Sequence, residues 1–327
     1  MGRLLLRRLL QSIPVFFAIT VLSFVLINAV PGGPLARFEL DNDVKPEDVA
    51  RIRTNMGLDQ PLWRRYLIWV GMAANSRGEY SGLLQGDLGL SYIDQTPVSD
   101  NIMARLPNTL LLTGLALLLS LAVAVPLGVI SAVRRHSWID NLATVLSTAG
   151  TSIPSFWFGL MAILIFAVEL GWLPSGGMYT LGRARTLPDL AAHLVLPVGV
   201  LSIVNVAGWS RYVRASMLEV LRQDYLRTAR AKGLYERLVI VRHALRNALI
   251  PVVTLMGLTL PDLVAGALVT ETIFGWPGMG RLAYHAATKR DYPMIMGVLV
   301  LSSMLVLLGN LLADMAYTVL DPRLAAR

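Results

Sequence analysis

Six long apolar stretches alternate with polar segments along the chain. A helix rises about 1.5 Å per residue, so roughly 20 apolar residues cross ~30 Å of hydrocarbon. The pattern therefore predicts an all-α polytopic membrane protein with about six transmembrane helices. The predicted spans are Ser12–Val30, Thr109–Ala132, Asn141–Val168, Leu194–Ser210, Ala248–Val269 and Met294–Ala313.

Two of these spans need a closer look. The third is longer than a crossing requires and contains Pro154, so a tilt or a kink is expected there. The first follows Arg3, Arg7 and Arg8, and a cleaved signal peptide is the alternative. Its apolar core is long for a signal peptide and ends in a poor cleavage site before Pro31, which favours an uncleaved span.

Basic residues in the polar segments predict the orientation. Arg134, Arg135 and His136 separate spans two and three, and nine bases against three acids lie between spans four and five. With six spans, these two segments and the basic N-terminus share one side of the membrane. Because Lys and Arg near span ends stay inside, the N- and C-termini are predicted to be cytoplasmic.

The spans divide the chain into an N-terminus with the first span (1–30), an outer segment (31–106) and a core of spans two to six (107–327). The outer segment shows helix signals at Pro46–Asp48, with Gly57 as a stop, and again at Pro61–Val70, whose Trp and Tyr content suits the membrane interface. This segment is either a packing cap or a docking surface for an external partner.

The inner segment 211–247 has an ordered pattern. Leu218, Leu221, Tyr225 and Ala229 recur at the spacing of one helix face, and Lys232-Gly233 is typical of a helix end. A second helix is predicted over 235–247. Attraction between arginines and lipid phosphates accounts for part of the charge. It does not account for the helix–glycine–helix order, which favours a docking element for a cytoplasmic protein.

Composition agrees with a membrane protein. Of the 327 residues 55% are hydrophobic and 15% charged, whereas soluble domains are about one quarter charged. The net charge of +8 is concentrated in the inner segment, so nucleic-acid binding is not needed to explain it. Cysteine is absent, the four histidines are scattered, and no phosphate-binding loop Gly-x-x-x-x-Gly-Lys-Ser/Thr occurs. No cofactor, metal site or ATPase activity is therefore expected.

Several motifs in order resemble one family, the dipeptide/oligopeptide (and nickel, glutathione) permeases of ABC importers, of the B-subunit type. The inner segment is similar to their cytoplasmic EAA loop. Arg227 and Thr228 replace the first two letters of that motif and only Ala229 keeps its letter. The stretch Met72–Leu84 makes the outer segment look longer than is usual in this family. The matching stretches are 224–234 (DYLRTARAKGL), 242–251 (RHALRNALIP), 86–89 (GDLG), 106–109 (LPNT), 152–157 (SIPSFW), 171–174 (GWLP), 270–280 (TETIFGWPGMG), 290–293 (RDYP) and 320–323 (LDPR).

The resemblance implies a pore subunit in a prokaryotic plasma (inner) membrane. Its partners would be a second permease, usually a different chain that makes a heterodimer, two cytoplasmic ABC ATPases and an extracytoplasmic substrate-binding protein. It also implies that the helix before Gly233 docks on an ATPase. The residues expected to couple are Leu218, Leu221, Tyr225, Arg227, Thr228, Ala229, Arg230, Lys232 and Gly233.

The translocation pathway is less visible in the sequence. Asp262 in span five and Asn205 in span four are the polar candidates, although Asp262 also fits a group that reaches water near a helix end. A secondary transporter would show paired repeats with broken helices, and a membrane enzyme would show a catalytic cluster; neither is evident. Peptides, glutathione, nickel chelates and oligosaccharides all remain open as the solute.

Overall fold

The computed structural model describes residues 2–30, 57–75, 78–265 and 267–320, with positions 33, 35, 47, 51, 53 and 54. Side chains are described except at 2–5, 254–255, 257–258, 260–262, 264–265, 312–314 and 316–320. This part of the chain forms helices joined by turns and no strand beyond one isolated bridge, from Leu90 to Pro97. The predicted all-α class is confirmed.

Each predicted apolar stretch lies on one or more helices, and α3 and α6 extend beyond their stretches. A 3-10 turn, Leu83–Gln85, precedes α3, a π-helix, Ile163–Glu169, continues α5, and a short turn, Glu236–Leu238, leads through a π-helix, Val239–Leu245, into α8. The α-helices are α1 Gly2–Ala29, α2 Leu62–Val70, α3 Val98–Val133, α4 Trp138–Ser152, α5 Ser155–Ala162, α6 Leu187–Val220, α7 Asp224–Ala231, α8 Arg246–Ala265, α9 Leu268–Ile273, α10 Met279–Thr288 and α11 Tyr292–Leu320.

Four helices among the described residues are long and apolar enough to cross a membrane, and the α4–α5 pair makes five if it is one broken span. The four are Leu6–Ala29, Val98–Val133, Leu187–Val220 and Tyr292–Leu311. The predicted fifth span coincides with α8, where several side chains lie outside the description. Six spans therefore stay a prediction: the four long helices, the α4–α5 pair and α8.

The kink expected at Pro154 is present. Helix α4 ends at Ser152, Pro154 precedes α5 with an extended backbone, and the two helix axes differ by 97°. Proline has no N–H to donate and its ring clashes with the preceding turn, so the helix cannot continue through it. The bend is large enough that the pair is either a broken span or a re-entrant loop.

Helix α6 extends beyond Ser210, where the predicted fourth span ends. Helix α6 runs on to Val220, because no glycine or proline interrupts the sequence between Ser210 and that point. Leu218 therefore belongs to the last turn of α6 and not to a separate inner helix. The inner segment is therefore continuous with a candidate span.

The helix predicted from Pro61 is confirmed as α2. It packs on α1, where the Phe24 and Tyr66 rings meet edge to face at 5.5 Å and the Tyr66 hydroxyl bonds the Thr20 hydroxyl at 2.9 Å. Most of the helix predicted from Pro46 lies outside the described residues.

The chain divides into two compact units by contact density. One contains residues 108–280 and 309–327, and the other contains 2–107 and 281–308. The predicted boundary after residue 106 falls inside α3, which begins at Val98 and belongs to both units. The apolar pattern marks where hydrocarbon begins, whereas the helix itself starts earlier, in the polar stretch before it.

Candidate coupling and translocation sites

The short helix α7 is held in place by one buried leucine. Leu226 has no exposed surface and packs in a core cluster with Met217 of α6, Val239 and Ala244 of the π-helix, and Ala248 of α8. Burying a leucine side chain stabilises by roughly 2 kcal/mol. The rest of α7 is largely exposed, so this contact fixes the position of an otherwise polar helix.

The single helix face predicted from Leu218 to Ala229 is interrupted in the structure, so that prediction is wrong. The chain turns at residues 221–223, where Gln223 has an extended backbone, and α7 begins at Asp224. The reason is geometric. Nine residues separate Met217 from Leu226, and at 3.6 residues per turn they would lie on opposite faces of an unbroken helix. The turn allows both side chains to enter the same core.

Only some of the residues on the predicted coupling face pack against the core of the protein. Leu218, Leu221 and Ala229 are half-buried against the cluster around Leu226. Tyr225 is exposed, and its hydroxyl accepts a hydrogen bond from Asn247 Nδ2 at 2.8 Å. The residue that carries the packing, Leu226, was missed because the predicted periodicity assumed a helix without a turn.

Gly233 ends α7 in the manner predicted. Its φ is +77°, its N–H donates to the Arg230 carbonyl at 2.9 Å, and the Leu234 N–H donates to the Ala229 carbonyl at 3.4 Å. These two bonds form a Schellman motif, which requires a left-handed residue after the last helical turn. A Cβ at position 233 would meet nothing within 4 Å, so the demand for glycine comes from the backbone alone.

An ion pair spans this turn. Arg230 Nε and Nη2 donate to the two carboxylate oxygens of Glu236 at 3.0 and 2.8 Å. The hydrogen bond from Arg230 lowers the pKa of Glu236, and the same bond raises the pKa of Arg230. Both groups are substantially exposed, so the pair adds little stability, but its fork geometry fixes the angle between α7 and the next helical stretch.

The solvent-exposed side of α7 is polar and basic. Arg227, Thr228 and Lys232 are exposed, and Arg227 Nη1 lies 3.5 Å from the Asp224 carboxylate. A short exposed helix with a buried anchor, a fixed end and a charged face has the geometry of a docking element.

A buried ion pair lies near the end of α6. Arg214 Nε and Nη2 donate to Asp140 Oδ1 and Oδ2 at 2.6 and 2.8 Å, and the His136 N–H donates to the same carboxylate at 3.0 Å. Asp140 is almost fully buried in the first turn of α4, next to the cap residue Ser137. In the sequence Arg214 is one of the nine bases between spans four and five and is not marked as a partner of Asp140. A lone acid three residues after a helix-capping serine was the available signal.

Asn205 lines a cavity of about 260 Å³ between α3, α6 and α8. The other polar side chains on the wall are Thr113 and Thr259. Trp209, one turn after Asn205, closes one side. Asp262, the second predicted pathway residue, belongs to α8, and its side chain lies outside the described part. The structure thus places one of the two candidates on a cavity wall.

A buried carboxylate joins the 270–280 motif to the start of the second predicted span. Glu271 has no exposed surface and accepts from the Thr109 hydroxyl at 2.8 Å, while that hydroxyl accepts from the Met279 N–H at 2.7 Å. Trp276 Nε1 donates to the Asn108 carbonyl at 2.9 Å. A Cβ on Gly278 would overlap the Glu271 carboxylate, which explains the glycine. Sequence reasoning had noted both motifs but not that they meet.

These features define a polytopic helical membrane protein with a short exposed helix beside a core cluster and a polar cavity between candidate spans. Family models identify the class. "Binding-protein-dependent transport system inner membrane component" matches residues 124–326, and "Binding-prot-dependent transport system membrane comp, N-term" matches residues 1–113. The chain belongs to this family, the permease subunits of ABC importers, in which ATP hydrolysis is the task of partner subunits.

Full-length relatives agree with the family. The chain is 45% identical to the oligopeptide transport system permease protein AppB of Bacillus subtilis over 99% of both chains. It is 38% identical to the dipeptide permease DppB of Escherichia coli K12 over 99% of both, and 38% identical to the glutathione permease GsiC of E. coli O6:H1 over 97% of both.

One solved structure shows the same fold. An inward-facing form of the MetNI methionine ABC transporter matches with a TM-score of 0.52 at 21% identity, over 67% of this chain and 96% of that one.

Proposed function

We propose that this chain forms the translocation pathway for peptides in an ABC importer of the plasma membrane. The relatives at 38–45% identity are oligopeptide, dipeptide and glutathione permeases, and this agreement over the full length supports a peptide-like cargo. An extracytoplasmic binding protein delivers the cargo, a second permease completes the pore, and two cytoplasmic ATPases supply energy.

The observation that carries the coupling role is helix α7, which is anchored by Leu226 and otherwise exposed at the protein surface. Closure of the ATPases would move α7, and Leu226 would pass that movement to Met217 and so to α6. Switching a two-state pore from 1:99 to 99:1 takes about 5.5 kcal/mol of differential binding. A joint that transmits such a load needs a defined end, which the hydrogen-bonded turn at Gly233 supplies.

The cavity beside Asn205 supports a pathway completed by a partner. Its volume of about 260 Å³ is just below the roughly 300–1,000 Å³ usual for ligand pockets, which agrees with a pathway that a second permease completes. Thr113, Asn205 and Thr259 offer hydrogen bonds without charge, which suits transient contact with peptide groups of many sequences.

A crosslinking experiment tests the coupling role. The chain has no cysteine, so Thr228→Cys introduces a unique thiol on the exposed face of α7. In the assembled transporter we expect a short bifunctional reagent to join position 228 to an ATPase subunit. Leu181→Cys, at a residue 98% exposed in the α5–α6 loop, is the control and should give no such product. Equal crosslinking at both sites would refute the docking role.

The proposed orientation is tested with the same chemistry. Tyr235 is 86% exposed in the inner segment, and Leu181 lies in a loop expected outside. In intact cells a membrane-impermeant maleimide should label Leu181→Cys and leave Tyr235→Cys unlabelled until the membrane is opened. The reverse labelling order would invert the topology.

The transport class and the cargo need one further measurement. Uptake of a radiolabelled dipeptide into proteoliposomes that hold the complete complex should require ATP and the binding protein. Uptake that follows a proton gradient without ATP would instead support a secondary transporter. Mass spectrometry of ligand copurified with the binding protein then identifies the cargo.

A further inference from the structure

A second cavity, of about 310 Å³, lies in the part of the chain before the second predicted span. Its walls come from α1, from one face of α2, from residues on either side of α2 (54, 57, 59, 60 and 75), and from the loop that carries Tyr92. The carboxylate on the wall belongs to Asp59, an exposed residue that does not pair with Arg65. Phe24 and Trp69 form apolar walls whose rings lie 6.0 Å apart. This cavity is lined by a different set of residues from the one beside Asn205, and the proposed pathway makes no use of it.

Arg65 contributes a half-buried guanidinium to this cavity. Its Nη2 donates to Asn28 Oδ1 at 2.6 Å, and its charge lies 6.0 Å from the centre of the Phe24 ring. Desolvation lowers the pKa of Arg65, and no carboxylate pairs with Arg65 within the described residues. Desolvating a cation without a paired anion is costly, so the Arg65 guanidinium can gain from an anionic occupant.

Two buried hydrogen-bond donors near Arg65 are unsatisfied. The indole N–H of Trp69 and the hydroxyl of Tyr292 find no partner among the described residues. Trp69 follows Arg65 by four residues, so both side chains lie on one face of α2, and Tyr292 is close enough to act on the Arg65 charge. More than nine in ten buried polar groups are paired in folded proteins, so donors gathered at one place call for an explanation.

We infer that this cavity binds an oxyanion carried on a small apolar body. The Arg65 fork and the Trp69 N–H would donate to its oxygens, and the aromatic rings would cover the attached carbon groups. The volume sits at the lower end for ligand pockets, which limits the occupant to a small group. The oxyanion is either the carboxylate of an amino acid or short peptide, or the phosphate of a lipid headgroup.

The binding assay uses the complete transporter complex in nanodiscs of phosphatidylcholine, without ATP or binding protein. The probe is radiolabelled alanyl-phenylalanine, compared with its C-terminal amide. A carboxylate source predicts saturable binding of the free acid and at least tenfold weaker binding of the amide. A lipid source predicts instead that phosphatidylglycerol copurifies with the complex in native mass spectrometry and is lost with Arg65→Gln.

Paired substitutions on α2 test the residues. Trp69→Phe keeps the ring and removes the N–H, and it should weaken binding of the occupant about tenfold, as expected for a hydrogen bond to a charged group. The melting temperature of the ligand-free complex should not fall, because no bond within the protein is lost. The controls Trp63→Phe and Arg64→Gln alter exposed neighbours on the same helix and should leave binding unchanged.

Several results would overturn the inference. They are equal binding by the Trp69→Phe and Trp63→Phe variants, retention of the occupant by Arg65→Gln, and the absence of both saturable dipeptide binding and Arg65-dependent lipid. ATP-driven uptake is measured separately, so a failure here leaves the proposed transport function standing.

Discussion

Arg214 and Asp140 form a two-bond ion pair that joins the C-terminal part of α6 to the first turn of α4. The distances of 2.6 and 2.8 Å and the near-complete burial of Asp140 give the pair a fixed geometry. It lies one turn before Met217, which belongs to the same core cluster as Leu226. Movement of α7 would therefore reach α4 and α6 together.

Removing one member of this pair should be costly. Arg214→Gln leaves the Asp140 carboxylate buried without its partner, and we expect a loss of about 3 kcal/mol. The value is at the lower end for buried pairs because Arg214 is 30% exposed. The readouts are the melting temperature of the purified complex and transport per ATP hydrolysed. Arg211→Gln, at an exposed position on the same helix, is the control and should change neither.

Leu226→Ala should detach α7 from the core. Truncating a fully buried leucine costs about 2–5 kcal/mol, because a cavity is left behind. We expect ATP hydrolysis to persist while substrate uptake falls, since the ATPases would grip a helix that no longer moves α6. Leu226→Met conserves volume and should retain most uptake. Normal uptake per ATP in the alanine variant would contradict the anchoring role.

Gly233→Val should weaken coupling through the backbone. A β-branched residue at φ +77° costs roughly 1–2 kcal/mol, because its Cβ crowds the neighbouring carbonyl. Asparagine tolerates the left-handed conformation, so Gly233→Asn is the matched control. Uptake by the reconstituted complex should fall in the first variant and remain near normal in the second. Equal uptake in both would show that the Schellman turn is dispensable.

Thr109→Val should destabilise the contact with the 270–280 motif. The change keeps the side-chain shape but removes the hydroxyl that serves both Glu271 and the Met279 N–H. Leaving buried polar groups unsatisfied costs about 1–3 kcal/mol. Thr109→Ser retains the hydroxyl and should lose less than half as much. Thermal unfolding of the detergent-solubilised complex measures the difference.

Coupling should not depend on pH between 6 and 8 through the Arg230–Glu236 pair. Arg230 lowers the pKa of Glu236, so the pair's stabilisation is fully present above the ordinary carboxyl value of 4.5 and is lost only as pH falls below it. Both partners are exposed, so salt should weaken the pair more than pH does in this range. A marked fall in ATP-coupled uptake from pH 8 to pH 6 that Glu236→Gln abolishes would contradict this assignment.

The apolar stretches were enough to predict the helices, and single residues predicted the break at Pro154 and the stop at Gly233. Each of these features depends on local chemistry. Pattern also singled out the segment 211–247 as a candidate coupling element, since its basic and apolar spacing differs from that of the spans. The apolar pattern does not show where α6 ends, because apolar character stops at the membrane surface while the helical backbone continues to Val220.

The amino-acid sequence by itself determined the membrane class, the order of elements and the family motifs, because those depend on near neighbours along the chain. Only the tertiary structure decided that Leu226 anchors α7, that Arg214 meets Asp140, and that Glu271 meets Thr109. Those pairs are separated by many residues, and their contact depends on how helices pack and turn. No local periodicity encodes which distant side chains come to share a core.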